Sequence, residues 1–116
     1  MLDKPAAITA APTHLATSTR VWWTTVVREY ELEPHHLKLL QHAAEAWDRS
    51  QEARELLARD GLVIEGREGG KRPHPAVAIE HNSRIAFARL IRELDLDVEP
   101  PRSDGRRLPP LRGYRR

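Results

Sequence analysis

The chain contains no cysteine. That excludes disulfides, thiolate chemistry and cysteine-ligated zinc, and it fits a reducing compartment. Aromatic residues are few: Trp22, Trp23, Trp47, Tyr30, Tyr114 and Phe87. Three tryptophans in so short a chain must be buried, either within one protomer or between protomers. No run approaches the ~18–20 apolar residues of a membrane span, so no membrane partner is expected. The N-terminus lacks a basic start followed by an apolar core, which argues against a secretory signal.

What is present is an uneven distribution of charge. The net charge is only +2 over 116 residues. Before residue 100, thirteen Lys/Arg meet sixteen Asp/Glu, a net of −3. After it, Arg102, Arg106, Arg107, Arg112, Arg115 and Arg116 face Asp104 alone, a net of +5. A mildly acidic body with a basic tail is suited to touching phosphates through a flexible segment. The plainer alternative is a tail that only aids solubility. The length allows one small domain with tails, burying roughly two thirds of its unfolded surface at most. Composition divides the chain into an unstructured arm over 1–14, a folded body over 15–98 and a flexible basic tail over 99–116.

Periodicity predicts three helices. The first starts near Thr17–Ser18, whose hydroxyls can cap it. Its apolar face is Trp23, Val26, Val27 and Tyr30, spaced as one side of a helix, and Trp22 points elsewhere. Thr24-Thr25-Val26-Val27 has poor helix propensity, so a strand is possible, but the spacing favours helix. Pro34 suits the first turn of a second helix running to about Arg59. Leu37, Leu40, Ala44 and Trp47 share a face there, with Ala43 beside them, and Leu56 and Leu57 resume it. Gly61 is expected as a left-handed cap. Such a helix is about 39 Å long, too long for this core to cover, which implies a partner. Leu62-Val63-Ile64 is a candidate strand, Glu65 to Gly70 a turn built on positive-φ glycines, and Lys71-Arg72 the return. Pro75 opens a third helix to about Leu94, with a stripe of Phe87, Ala88, Ile91 and Leu94 flanked by Leu90. The expected fold is mainly α: a helical hairpin with a long central helix, a small β-hairpin and a C-terminal helix.

No catalytic constellation emerges. The histidines are His14, His35, His36, His42, His74 and His81. None are paired at zincin spacing around a glutamate, and His35 and His36 read as exposed first-turn residues. Glu80-His81-Asn82 could belong to a nuclease site, but it falls inside a helix, where a polar surface is the simpler reading. Glu65 to Arg72 is not a phosphate-binding P-loop, because Arg72 stands where Ser or Thr would be required. Arg67, Lys71 and Arg72 could still touch phosphate. Glu45–Arg49 and Glu55–Arg59 read as surface pairs of favourable orientation. No metal, cofactor or enzymatic activity is expected.

Several local patterns in fixed order carry a resemblance. His14-Leu15 leads into a helix bearing Trp23. A Pro-started long helix runs to Arg59-Asp60-Gly61-Leu62-Val63. A Gly-rich turn precedes His74-Pro75-Ala76-Val77-Ala78-Ile79, and the last helix ends at Leu94-Asp95-Leu96. Over about residues 14–98 the chain resembles the small subunit of phage terminases. It departs from the usual pattern at cap positions: Ala16-Thr17 replaces a Ser/Thr-Pro cap, Glu33 precedes Pro34, and Leu94-Asp95-Leu96 lacks a terminal glycine. The resemblance implies a non-enzymatic DNA-packaging component in the host cytoplasm that forms an oligomeric ring. It also implies binding to double-stranded viral DNA and recruitment or regulation of the large terminase subunit, which holds the ATPase and nuclease.

The candidate DNA contacts are the six tail arginines together with Lys71, Arg72, Arg20 and Arg28. Trp22 and Trp47 are the candidate oligomer contacts. A helical transcription regulator is the main alternative, although a helix opening Ala76-Val77-Ala78-Ile79 is a poor base reader. A small metal-dependent nuclease is the weaker one.

Overall fold

A computed structural model describes residues 9–96 and the backbone of residues 114–115. The order of elements is α1 (Thr17–Glu29), β1 (Tyr30–Glu31), α2 (Pro34–Asp60), β2 (Val63–Glu65), β3 (Lys71–Pro73), α3 (Pro75–Leu94) and β4 (Tyr114–Arg115). The fold is mainly helical, with a small antiparallel hairpin of β2 and β3 between α2 and α3.

The helix termini show how the sequence stops and starts each element. Ala16 is the N-cap of α1 and makes no side-chain cap. The hydroxyls of Thr17 and Ser18 therefore do not play the expected role. Asp48 of α2 does so instead, accepting from the Ala16 N–H at 2.8 Å and the Thr19 hydroxyl at 2.5 Å. At the start of α2, His36 Nδ1 accepts from the Glu33 N–H at 2.9 Å. His36 is buried, unlike the exposed first-turn residue expected, because that bond draws its ring back over the helix end. His74 caps α3, its Nδ1 accepting from the Ala76 N–H at 2.9 Å.

Two positive-φ positions end helices differently from expectation. Gly61 has φ 84° and ψ 169°, an extended conformation open essentially only to glycine and distinct from a left-handed cap. Asp95, after α3, takes the left-handed role with φ 48° and ψ 48°. In the hairpin turn only Gly69 has positive φ. Gly66 is needed for another reason: a Cβ there would stand 3.0 Å from the Gly70 carbonyl oxygen.

α2 and α3 form the helical hairpin. Leu40 packs with Leu94 in the core, Trp47 meets Phe87, and Asp60 meets His74, so the two helices run antiparallel along most of their length. Small residues line the seam: Ala43, Ser50, Ala53 and Ala76 are all buried. α1 covers only one end of this pair. There Leu15, Trp23, Val26, Val27, Tyr30, Leu40, Ala44 and Leu94 make the core, matching the helical face expected for α1. Ala88 is exposed and does not belong to the packed stripe of α3. It lies about 100° round the helix from Phe87.

Residues 9–14, assigned by composition to a free arm, carry tertiary contacts. The Trp23 indole N–H donates to the Thr9 carbonyl at 3.0 Å, Ala11 packs on the core, and His14 bonds Glu45 at 2.8 Å. β1 falls in what reads as a plain link, and pairs antiparallel with β4 in the register Tyr30↔Arg115 and Glu31↔Tyr114. Two-residue strands so distant in sequence leave no periodic signal. Among the described residues no helix is long and apolar enough to cross a membrane.

Candidate nucleic-acid and assembly surfaces

The outer face of α1 is cationic and free of acids until its last residue. Thr17, Ser18, Arg20, Val21, Thr25 and Arg28 are exposed on it. Thr24 and Thr25 satisfy their hydroxyls on the carbonyls of Arg20 and Val21, at 3.0 and 3.1 Å. That local bonding offsets part of the low helix propensity of the run. Arg20 and Arg28 stand two turns apart, roughly 12 Å along the axis.

Lys71 and Arg72 lie elsewhere. They sit on β3, opposite Glu65 and Ile64 respectively, and successive strand residues point to opposite faces. The two cations therefore do not share one surface, and Glu65 faces Lys71 across the ladder. The hairpin follows Asp60, whereas α1 meets α2 at Asp48. These points are separated by roughly 18 Å of helix. The structure thus places Arg20 and Arg28 together, and Lys71 and Arg72 apart from them. Arg102, Arg106, Arg107, Arg112 and Arg116 lie outside the described residues. Arg115 lies in β4, where its backbone is opposite Tyr30, two residues beyond Arg28.

Trp22 and Trp47 come together through a third ring. Phe87 stands 6.1 Å from Trp22 and 5.2 Å from Trp47, centroid to centroid, both pairs tilted. Such tilted aromatic contacts are favourable beyond the area they bury. With Ser18 and Thr19, the three rings line a recess of about 350 Å³ where α1, α2 and α3 meet. Trp47 remains 41% exposed, and Val21 nearby in sequence is 62% exposed. Phe87 reads from sequence as ordinary core, so its linking role is a feature of the tertiary structure.

The charged side chains settle into local networks that differ from the expected helical pairs. Glu45 engages Gln41 at 3.0 Å, His14 at 2.8 Å and His42 at 3.6 Å, in place of Arg49. The Gln41 hydrogen bond holds the Glu45 carboxyl below its ordinary value, against the opposing effect of burial and with help from His14. Arg59 turns to Asp60 at 2.6 Å and away from Glu55. The Arg59 bond, and then His74 at 2.8 Å, keep Asp60 well below the usual carboxylate range. Arg84 and Glu80 do form a pair four residues apart.

His81 and Asn82 are exposed on α3. His14, His36 and His74 each serve a hydrogen bond to a neighbouring element or helix end. Among the described residues no group of three or more His, Cys, Asp or Glu is placed to hold a metal ion.

The fold is that of a small helical protein whose conspicuous surfaces are basic and aromatic. Residues 20–101 match the family described as phage terminase, small subunit, and the chain belongs to that family. Membership implies a role in phage DNA packaging. No curated protein and no solved structure matches the chain.

Proposed function

We propose that this chain is a non-catalytic packaging component that binds double-stranded viral DNA as an oligomeric ring and recruits or regulates the large terminase subunit. The observation that carries the reading is the family match joined to an incomplete monomer. α1 covers one end of the α2–α3 hairpin, and Trp47, Leu56, Ile79 and Ile85 remain exposed along it. A neighbouring protomer would cover them. Trp22 and Trp47 around Phe87 are the proposed anchors, since buried aromatics commonly dominate interface energetics.

DNA contact is assigned to phosphates. The tail arginines supply most of it, with Arg20 and Arg28 on α1 and Lys71 and Arg72 on the hairpin as further contacts. Arginine binds phosphate well, but a Pro- and Gly-interrupted tail gives no rigid frame for reading base edges. The organisation proposed is a folded body ending near residue 98, followed by the basic tail. The assembly would act in the host cytoplasm.

Fluorescence anisotropy with duplex DNA across a salt series tests this, on the full chain and on a chain lacking residues 102–116. Each neutralised phosphate adds roughly 0.9 to the steepness of the log–log salt dependence. The reading expects weaker binding and a shallower slope after truncation. An unchanged slope and affinity would move the DNA contact to the body and leave the tail for the large subunit.

A further inference from the structure

The β2–β3 hairpin has two outer edges, and they differ in chemistry. His74 N–H donates to the Leu62 carbonyl at 2.8 Å, and Gly66 N–H to the Gly70 carbonyl at 2.5 Å. In an antiparallel ladder, hydrogen-bonded pairs alternate with pairs whose polar groups point outward. With Ile64 opposite Arg72, the alternation makes that pair the bonded one. The N–H and C=O groups of Val63 and Glu65 therefore point away from β3.

The outer edge of β3 is a poor template. Pro73 has no N–H to offer, and pairing β3 with itself would oppose either Lys71 or Arg72 to its own copy. β2 carries no such protection. Its edge runs Leu62-Val63-Ile64, with Leu62 64% and Val63 52% exposed. An exposed apolar edge is a ready template for another strand unless something blocks it.

We propose that the outer edge of β2 docks a second copy of this chain, antiparallel about a two-fold axis at Val63. The register selects the occupant. With Val63 opposite Val63 of the second copy, Leu62 meets Ile64 in both directions and Glu65 meets Gly61. Every large side chain then faces an apolar one, and no like charges are opposed. The outward N–H of each Val63 donates to the Val63 carbonyl of the other copy. A three-residue edge is far smaller than the ~1,200 Å² of a stable interface. A single pair therefore associates weakly, and pairing strengthens where two multi-copy assemblies meet face to face. The contact is isologous, whereas a ring closes through heterologous contacts, so the proposal does not depend on the ring.

The natural chain has no cysteine, which makes cross-linking clean. Leu62→Cys and Ile64→Cys full-length variants, one of them isotopically labelled, are mixed and mildly oxidised. Residues opposed in a non-hydrogen-bonded pair lie about 4.5 Å apart at Cα, within disulfide reach. In an equal mixture the proposal expects more than twice as much mixed dimer as either homodimer, twice being the ratio that random collision gives. No excess over that ratio would overturn it. So would preferential cross-linking of an Ile64→Cys and Arg72→Cys mixture, which reports β2 on β3 head to tail. Val63→Pro, introduced into both cysteine variants, removes the outward N–H, keeps an apolar side chain and leaves the hairpin's own ladder intact. It should slow mixed cross-linking about tenfold with the helical circular dichroism unchanged, and an unchanged rate would count against the edge.

Discussion

Asp48, midway along α2, holds the start of α1 through two hydrogen bonds, one from the Thr19 hydroxyl at 2.5 Å and one from the Ala16 N–H at 2.8 Å. Thr19 is buried. A carboxylate at a helix N-terminus satisfies an orphan donor and complements the positive end of the helix dipole. Here it comes from a different helix, so it also fixes where α1 lies on α2. Asp48→Ala should cost about 1–2 kcal/mol, measured as a shift in the urea midpoint. A loss below a few tenths would mean that apolar packing alone seats α1.

Helix ends offer a paired test of backbone geometry. Gly61→Ala should destabilise by about 1 kcal/mol or more. Its φ is 84° and nothing lies within 4 Å of an added Cβ, so the cost is conformational. At Asp95 the backbone is left-handed, with φ 48°, so Asp95→Gly should cost less than Asp95→Val, whose branched side chain is strained there. Thermal melts of the three variants check both positions.

His74 ties two helices with one ring. Its Nδ1 caps α3 and its Nε2 reaches Asp60 at the end of α2. An Nδ1 that accepts a hydrogen bond leaves the Nε2–H as the donor to the Asp60 carboxylate. His74→Asn keeps a good capping side chain and should lose less stability than His74→Ala, which should cost about 1 kcal/mol. Equal losses would place the stabilisation in the Asp60 contact and not in the cap.

Acid should unfold the protein partly through Glu45 and Asp60. Both carboxyls are held below their ordinary values, Glu45 chiefly by Gln41 and Asp60 chiefly by Arg59. A depressed carboxylate contributes stability that is present above its unfolded value and is lost as pH falls through the folded one. The decline should therefore begin near the unfolded values of about 4 and continue below them. Urea midpoints between about pH 6 and pH 3 should fall less steeply for a Glu45→Gln, Asp60→Asn double variant. A slope identical to that of the natural chain would contradict this.

The legible part of the fold was the part written in periodic apolar spacing. Trp23, Val26 and Val27 on α1, Leu40 and Ala44 on α2, and the Pro-started α2 and α3 follow from that spacing alone. Cap partners did not follow, because Asp48, His36 and His74 act through tertiary geometry or unusual residue choice. Surface ion pairs followed poorly for a related reason. Glu45 and Arg59 each had several partners within reach, and spacing on one helix ignores His14 and Asp60. For the candidate surfaces, sequence named Trp22 and Trp47 but not the Phe87 ring that brings them together.

The aromatic recess is the contact proposed for assembly. Trp22→Ala and Trp47→Ala should each weaken protomer association, at a cost of about 2 kcal/mol or more where the ring is buried at a contact. Sedimentation at micromolar concentration checks it. Retention of the natural mass by both variants would remove the recess from the interface.

The most direct measurement is the native mass of the full chain at micromolar concentration and near-neutral pH. A closed ring of several protomers, as a single dominant mass, is the predicted result. A chain that stays monomeric, or stops at a dimer, would contradict the packaging-ring account and favour a regulator of two-fold symmetry.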